Sequence, residues 1–66
     1  MDLLFSKHAL EQMRERGVSV NEIKETITNG AKFQQEDKIV SDYRHIRIIF
    51  KKIENTCFII TVMIRK

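Results

Sequence analysis

The run Tyr43-Arg44-His45-Ile46-Arg47-Ile48-Ile49-Phe50-Lys51-Lys52-Ile53-Glu54-Asn55-Thr56-Cys57-Phe58-Ile59-Ile60-Thr61-Val62-Met63-Ile64-Arg65 carries the strongest structural signal in the chain. Two stretches rich in β-branched and aromatic residues alternate with a period of two, the mark of strands with one buried face. The polar triplet Glu54-Asn55-Thr56 separates them and reads as a hairpin turn. A three-residue loop pairs Ile53 with Cys57 and sets Ile48 opposite Val62 and Phe50 opposite Ile60. Register matters because a one-residue slip turns every side chain to the other face. This register predicts an apolar face of Ile46, Ile48, Phe50, Phe58, Ile60, Val62 and Ile64. The opposite face takes His45, Arg47, Ile49, Cys57, Ile59, Thr61, Met63 and Arg65.

Upstream of this hairpin, Lys32 to Gln35 and Lys38 to Asp42 read as two shorter strands about a Glu36-Asp37 turn. Before Gly30 the period is helical. Ser6 is suited to cap a helix from Lys7 to Arg16, and Gly17 can take the left-handed conformation that closes it. Ser19-Val20-Asn21-Glu22 has the spacing of a capping box and opens a second helix, with Val20, Ile23 and Ile27 on one stripe and Gly30 as its stop. The two helices are expected to form a hairpin about Gly17 and Val18. The sum is one α+β domain over residues 1–66, with two N-terminal helices packed on one face of a three- to four-stranded antiparallel sheet.

A chain of 66 residues buries only about 60% of the surface its unfolded form exposes, so a partner or homodimer contact would supplement its core. The longest apolar run, Cys57 to Ile64, is too short to span a bilayer, and no basic region followed by an apolar stretch suggests a secretory leader. One cysteine permits no internal disulfide, which fits a reducing cytoplasm. Net charge is +3. All of that excess lies in residues 34–66, where seven basic groups face four acidic ones. A basic balance favours polyanion partners, nucleic acid first, and equally describes a solvated surface.

The segment Ser6-Lys7-His8-Ala9-Leu10-Glu11-Gln12-Met13-Arg14-Glu15-Arg16-Gly17-Val18 combines an imidazole with guanidinium groups on one short helix. At about 100° per residue, Ala9, Leu10, Met13 and Gly17 gather on one side, His8 and Gln12 point away from it, and Arg16 lies between. His8 is then a surface residue. It is either a general acid or base, since imidazole titrates near neutrality, or a bystander in the first turn. Arg14 suits the negative end of the helix dipole, while Arg16 is better placed for a phosphate clamp or a helix-to-sheet anchor. On the sheet, His45, Arg47, Thr61 and Arg65 form a cationic, hydrogen-bonding surface, extended by Lys66. Cys57 reads as a small apolar filler, and no ligand spacing for a metal, glycine-rich phosphate loop or nucleophile elbow is present.

The run His8 to Ser19, together with the closing Ile59-Ile60-Thr61-Val62, resembles a family of small prokaryotic domains of unknown function. Its pattern is a His, then Arg-Met, then Arg-Gly-Ile, and later a terminal strand with Thr-Val-Tyr. That family is similar to the barnase, EndoU, colicin and RelE group of ribonucleases, whose members set N-terminal helices against a four-stranded antiparallel sheet. Many of them are toxins neutralised by a partner protein. The resemblance implies His8, Arg16 and Thr61 as catalytic residues. The basic surface adds Arg14, His45, Arg47, Arg65 and Lys66 as expected nucleic-acid contacts, and no cofactor is expected. Gln12 stands where the family has arginine, and Met63 where tyrosine is common. The expected activity is a metal-independent endoribonuclease of toxin type, in which the RNA 2′-hydroxyl attacks the adjacent phosphate. The alternative is a non-catalytic module binding RNA or protein on the same scaffold. Expected partners are RNA and an antitoxin or other protein.

Overall fold

A computed structural model describes residues 1–65. The chain runs β1 (Asp2–Phe5), α1 (Lys7–Arg16), α2 (Val20–Asn29), β2 (Ala31–Gln35), β3 (Lys38–Tyr43), β4 (Ile46–Ile53) and β5 (Thr56–Ile64). Both helices form where their caps place them. The Ser6 hydroxyl accepts from the Ala9 N–H, and Gly17 closes α1 at φ 66°. Ser19 and Glu22 complete a reciprocal capping box at the start of α2. Gly30 ends α2 for a different reason, since its φ is an ordinary −73°. A Cβ there would run into the Ser41 hydroxyl and the Thr26 carbonyl, so glycine is required by close approach.

The sheet has five strands in the order β1-β5-β4-β3-β2, and it is mixed. Strands β2 to β5 form an antiparallel meander, while β1 pairs in parallel with β5, from Asp2 opposite Thr56 to Phe5 opposite Ile59. This corrects the expected three- to four-stranded antiparallel sheet. The extra strand is only four residues long, and its partner lies at the far end of the sequence, where no turn advertises the pairing.

The register of the β4–β5 hairpin is also corrected. Glu54 adopts φ 56° and closes a two-residue turn, so Ile53 faces Thr56, Lys52 faces Cys57 and Phe50 faces Ile59. Between Phe50 opposite Ile59 and Ile49 opposite Thr61, Ile60 has no partner. This β-bulge restores the expected match of Ile48 with Val62. It also reverses the faces of the strand before it. Cys57 and Ile59 are buried in the core, whereas Phe58 and Ile60 are only half-buried and Ile64 is exposed.

The core gathers Ala9, Met13, Val18, Ile23 and Ile27 from the helical half against Ile46, Ile48, Phe50, Cys57, Ile59 and Val62, with Leu3, Phe5 and Ile39 at its margin. The helices do not pair as a hairpin: α1 packs on β5 and β1, and α2 on β3 and β4. Ser41 ties α2 down, its hydroxyl donating 2.6 Å to the Thr26 carbonyl. The opposite sheet face, bearing Val40, Asp42, Arg47, Ile49, Lys51, Phe58, Thr61 and Met63, has no helix over it. No helix among the described residues is long and apolar enough to cross a membrane.

Candidate functional site on the open sheet face

Helix α1 does not lie flat on the sheet. Strand β1 covers β5 only as far as Ile59, and beyond that point α1 takes over the free strand edge. The Ser6 N–H donates to the Ile59 carbonyl at 2.9 Å, the Ser6 hydroxyl donates to the Ile60 carbonyl at 2.9 Å, and the Gln12 side-chain carbonyl accepts from the Val62 N–H at 2.9 Å. Gln12 is therefore 7% exposed, while Leu10 is 47% exposed. That corrects the expected outward Gln12 and inward Leu10. A helix on a strand edge buries a different arc from one on a flat face.

These anchors locate His8. Round the helix, at about 100° per residue, Gln12 lies roughly 40° and Ala9 and Met13 roughly 100–140° from His8. Ala9 and Met13 face the core and Gln12 meets the strand edge, so the same rotation carries His8 past the edge to the flank beside the open face. Along the strand, Ser6 is level with Ile59 and Ile60, and Gln12 with Val62, which sets His8 level with Ile60 and Thr61. Its side chain is exposed. Thr61 is half-buried and sits opposite Ile49, with Arg47 opposite Met63 two places on. Thr61 and Arg47 are thus diagonal neighbours on the same face, roughly 7–8 Å apart at the backbone.

Arg47 is not a free cation. Its Nε donates to Asp42 Oδ1 at 2.6 Å and its Nη2 to Asp42 Oδ2 at 2.8 Å, a bidentate fork across β3 and β4. These bonds hold the Asp42 carboxyl below its ordinary value and raise the Arg47 guanidinium in turn. Arg65 closes the group, with Nε 3.9 Å from Asp42 Oδ2 and Nη1 donating 3.1 Å to the Arg44 carbonyl. The Arg47 guanidinium also lies 5.8 Å from the centre of the Phe33 ring. Lys51 pairs with Asp37 at 3.0 Å, which lowers the Asp37 carboxyl.

The other expected residues scatter. Arg14 is exposed on the outer side of α1, and Arg16 is exposed in its last turn, roughly 12 Å along the axis from His8. His45 stands in the β3–β4 turn, off the sheet face, beside a cleft of about 50 Å³ lined by Glu22, Glu25 and Tyr43. The Glu22 carboxylate there is lowered chiefly by the Ser19 backbone N–H of the capping box. A larger groove of about 430 Å³ opens on the helix side between Ile27, Phe50 and Cys57, with Lys32 and Lys52 at its rim. His8, Arg16 and Thr61 line neither concavity. Lys66 falls outside the described residues. Among those described, no group of three His, Cys, Asp or Glu side chains is placed to hold a metal ion.

Sequence reasoning passed over Asp42 and Phe33. The signal for Asp42 was available, because a two-residue turn at Arg44-His45 sets it opposite Arg47.

Fold and site together define a small α+β domain whose two helices leave one face of a mixed sheet open and cationic. The profile of the domain of unknown function DUF4258 matches residues 5–64, and the chain belongs to that family. Searches of curated proteins and of solved structures gave no match.

Proposed function

We propose that the chain is a metal-independent endoribonuclease of toxin type, acting on RNA laid across the open sheet face. One observation supports this reading above the others: Ser6 and Gln12 fasten α1 to the free edge of β5 at Ile59, Ile60 and Val62, with the exposed His8 between these anchors, and the open face of the same sheet carries Thr61, Arg47 and Arg65. Cleavage through the 2′-hydroxyl needs a base, cations for the crowded phosphorane and a proton for the leaving oxygen. In this scheme His8 takes the 2′-hydroxyl proton and O2′ bonds to phosphorus. The P–O5′ bond breaks, and solvent water protonates the departing oxygen. The products are a 2′,3′-cyclic phosphate and a 5′-hydroxyl end. Arg47 and Thr61 offer donors to the non-bridging oxygens, and Arg16 holds a neighbouring phosphate.

The test is incubation of the purified protein with an RNA oligonucleotide in excess EDTA. Cleavage to cyclic-phosphate ends is expected, with the DNA of the same sequence left intact. General base catalysis contributes about 10²–10⁴-fold, so His8→Ala should lower the rate at least a hundredfold. An unchanged rate in that variant would overturn the assignment.

The second reading, a binding module without catalysis, is supported by two features. The family's arginine position is occupied by Gln12, whose amide carbonyl is committed to the Val62 N–H. In addition, Asp42 already holds the Arg47 fork. A stable RNA complex with no cleavage would select it.

A further inference from the structure

Beside Thr61 the open face carries a second arrangement, built from Phe33, Asp42, Arg47 and Arg65. The Asp42 side chain is 15% exposed and meets two guanidinium groups, so the cluster keeps an excess positive charge. A guanidinium has five N–H donors, and Asp42 takes two of those on Arg47, leaving three. The bidentate grip fixes the plane of a side chain that would otherwise sample many rotamers. Next to that plane, Phe33 is 47% exposed on a strand whose five residues are all exposed. The ring stands opposite the buried Val40 and still leaves nearly half of the residue to solvent. Around it, Lys38, Arg47, Lys51 and Arg65 stand against the two carboxylates Asp37 and Asp42, and the remaining positive excess is complementary to a polyanion.

We propose that this corner is a nucleotide subsite for single-stranded RNA, in which an unpaired base packs against Phe33 and the Arg47 guanidinium that lies over its ring. The adjoining phosphate takes the remaining donors of Arg47 and Arg65. Asp42 is a positioning residue: it touches no ligand and holds both arginines in place. The subsite rests on the reading that the open face engages RNA. It deepens that reading by naming the form of RNA, since a duplex keeps its bases stacked inside and cannot offer one to a surface ring.

The test uses the whole chain and a fluorescent ten-nucleotide RNA carrying 2′-O-methyl groups throughout, which cannot be cleaved by its own hydroxyls. Fluorescence anisotropy then reads binding apart from catalysis. The single strand should bind at least about tenfold more tightly than the same sequence as a duplex. Stacking on an aromatic ring is sensitive enough that Phe33→Leu should weaken binding about fivefold or more. Arg47→Lys keeps the charge and loses the fork, and it should weaken binding to a similar extent. Asp42→Asn is the sharpest variant. It raises the net charge by one, so unspecific attraction predicts tighter binding, whereas a positioning role predicts weaker binding. Thermal unfolding of each variant establishes that it is folded, and Phe33→Leu, at an exposed site, tests the subsite should Asp42→Asn fail to fold.

Equal affinity for single strand and duplex, or Phe33→Leu and Asp42→Asn binding as tightly as the parent, would overturn the subsite. If the expected pattern appears with no cleavage of ordinary RNA, the subsite stands and the ribonuclease proposal fails. If cleavage occurs while Phe33→Leu binds normally, the subsite alone fails.

Discussion

Gln12 shows how one side chain joins a helix to a strand. Its amide carbonyl is the acceptor for a buried Val62 N–H that no neighbouring strand reaches. Gln12→Leu keeps the bulk and removes the acceptor. An unsatisfied buried donor costs about 1–3 kcal/mol, and in a domain of this size 1 kcal/mol is worth about 4–8 °C, so the melting temperature should fall by several degrees or more. Nothing in the sequence flagged this role, because a helical wheel assumes a flat surface beneath the helix and here the surface is a strand edge. Asp42 gives a second expectation. Its folded-state pKa lies below the ordinary 3.8, chiefly through the Arg47 hydrogen bonds. A depressed carboxylate contributes stability that is present above the unfolded value and lost as pH falls through the folded one. Unfolding midpoints followed from about pH 5 down to about pH 2 should therefore drop more steeply in the parent than in Asp42→Asn.

Strand β5 holds the clearest case of a pattern read correctly in kind and wrongly in phase. Alternation alone gave two apolar faces of nearly equal quality, Phe58-Ile60 against Cys57-Ile59, and the length of the turn chose between them. With two residues in the turn and Ile60 bulged, Ile59 is 0% exposed and Ile60 half-buried. Ile59→Ala should cost about 2–5 kcal/mol and Ile60→Ala clearly less, a contrast that chemical denaturation measures directly. Equal losses would show Ile60 to be packed as deeply as Ile59. The helices were legible to the residue because their signals are local: Ser6, Gly17, the Ser19–Glu22 box and Gly30 each act within one turn of the backbone. The β2 and β3 strands were found for the same reason, through the turn at Glu36-Asp37. Bulges carry no comparable signature here, since Ile59 and Ile60 are chemically identical and only three-dimensional packing tells them apart.

For the molecule as a whole, two helices on one face of a sheet could be inferred from sequence, and the mixed character of that sheet could not. The four residues of β1 make a parallel pair with residues 56–59, a partnership set by the rest of the fold. The candidate site was legible as a set of residue types, with Arg47 and Thr61 on one face by alternation. No residue pattern announced that His8 stands between the Ser6 and Gln12 anchors on the edge of β5, and Asp42 and Phe33 come onto the open face through cross-strand pairing. The parallel pairing also bears on how the sheet assembles. Strands β2 to β5 follow one another through tight turns, so each finds its neighbour at little loop-closure cost. Strand β1 instead meets residues 54 positions further along, Asp2 opposite Thr56, and the Ser6 and Gln12 bonds to β5 close loops of 54 and 50 residues. The meander is therefore expected to form first, with β1 and α1 docking onto its β5 edge as the slow, late step of folding.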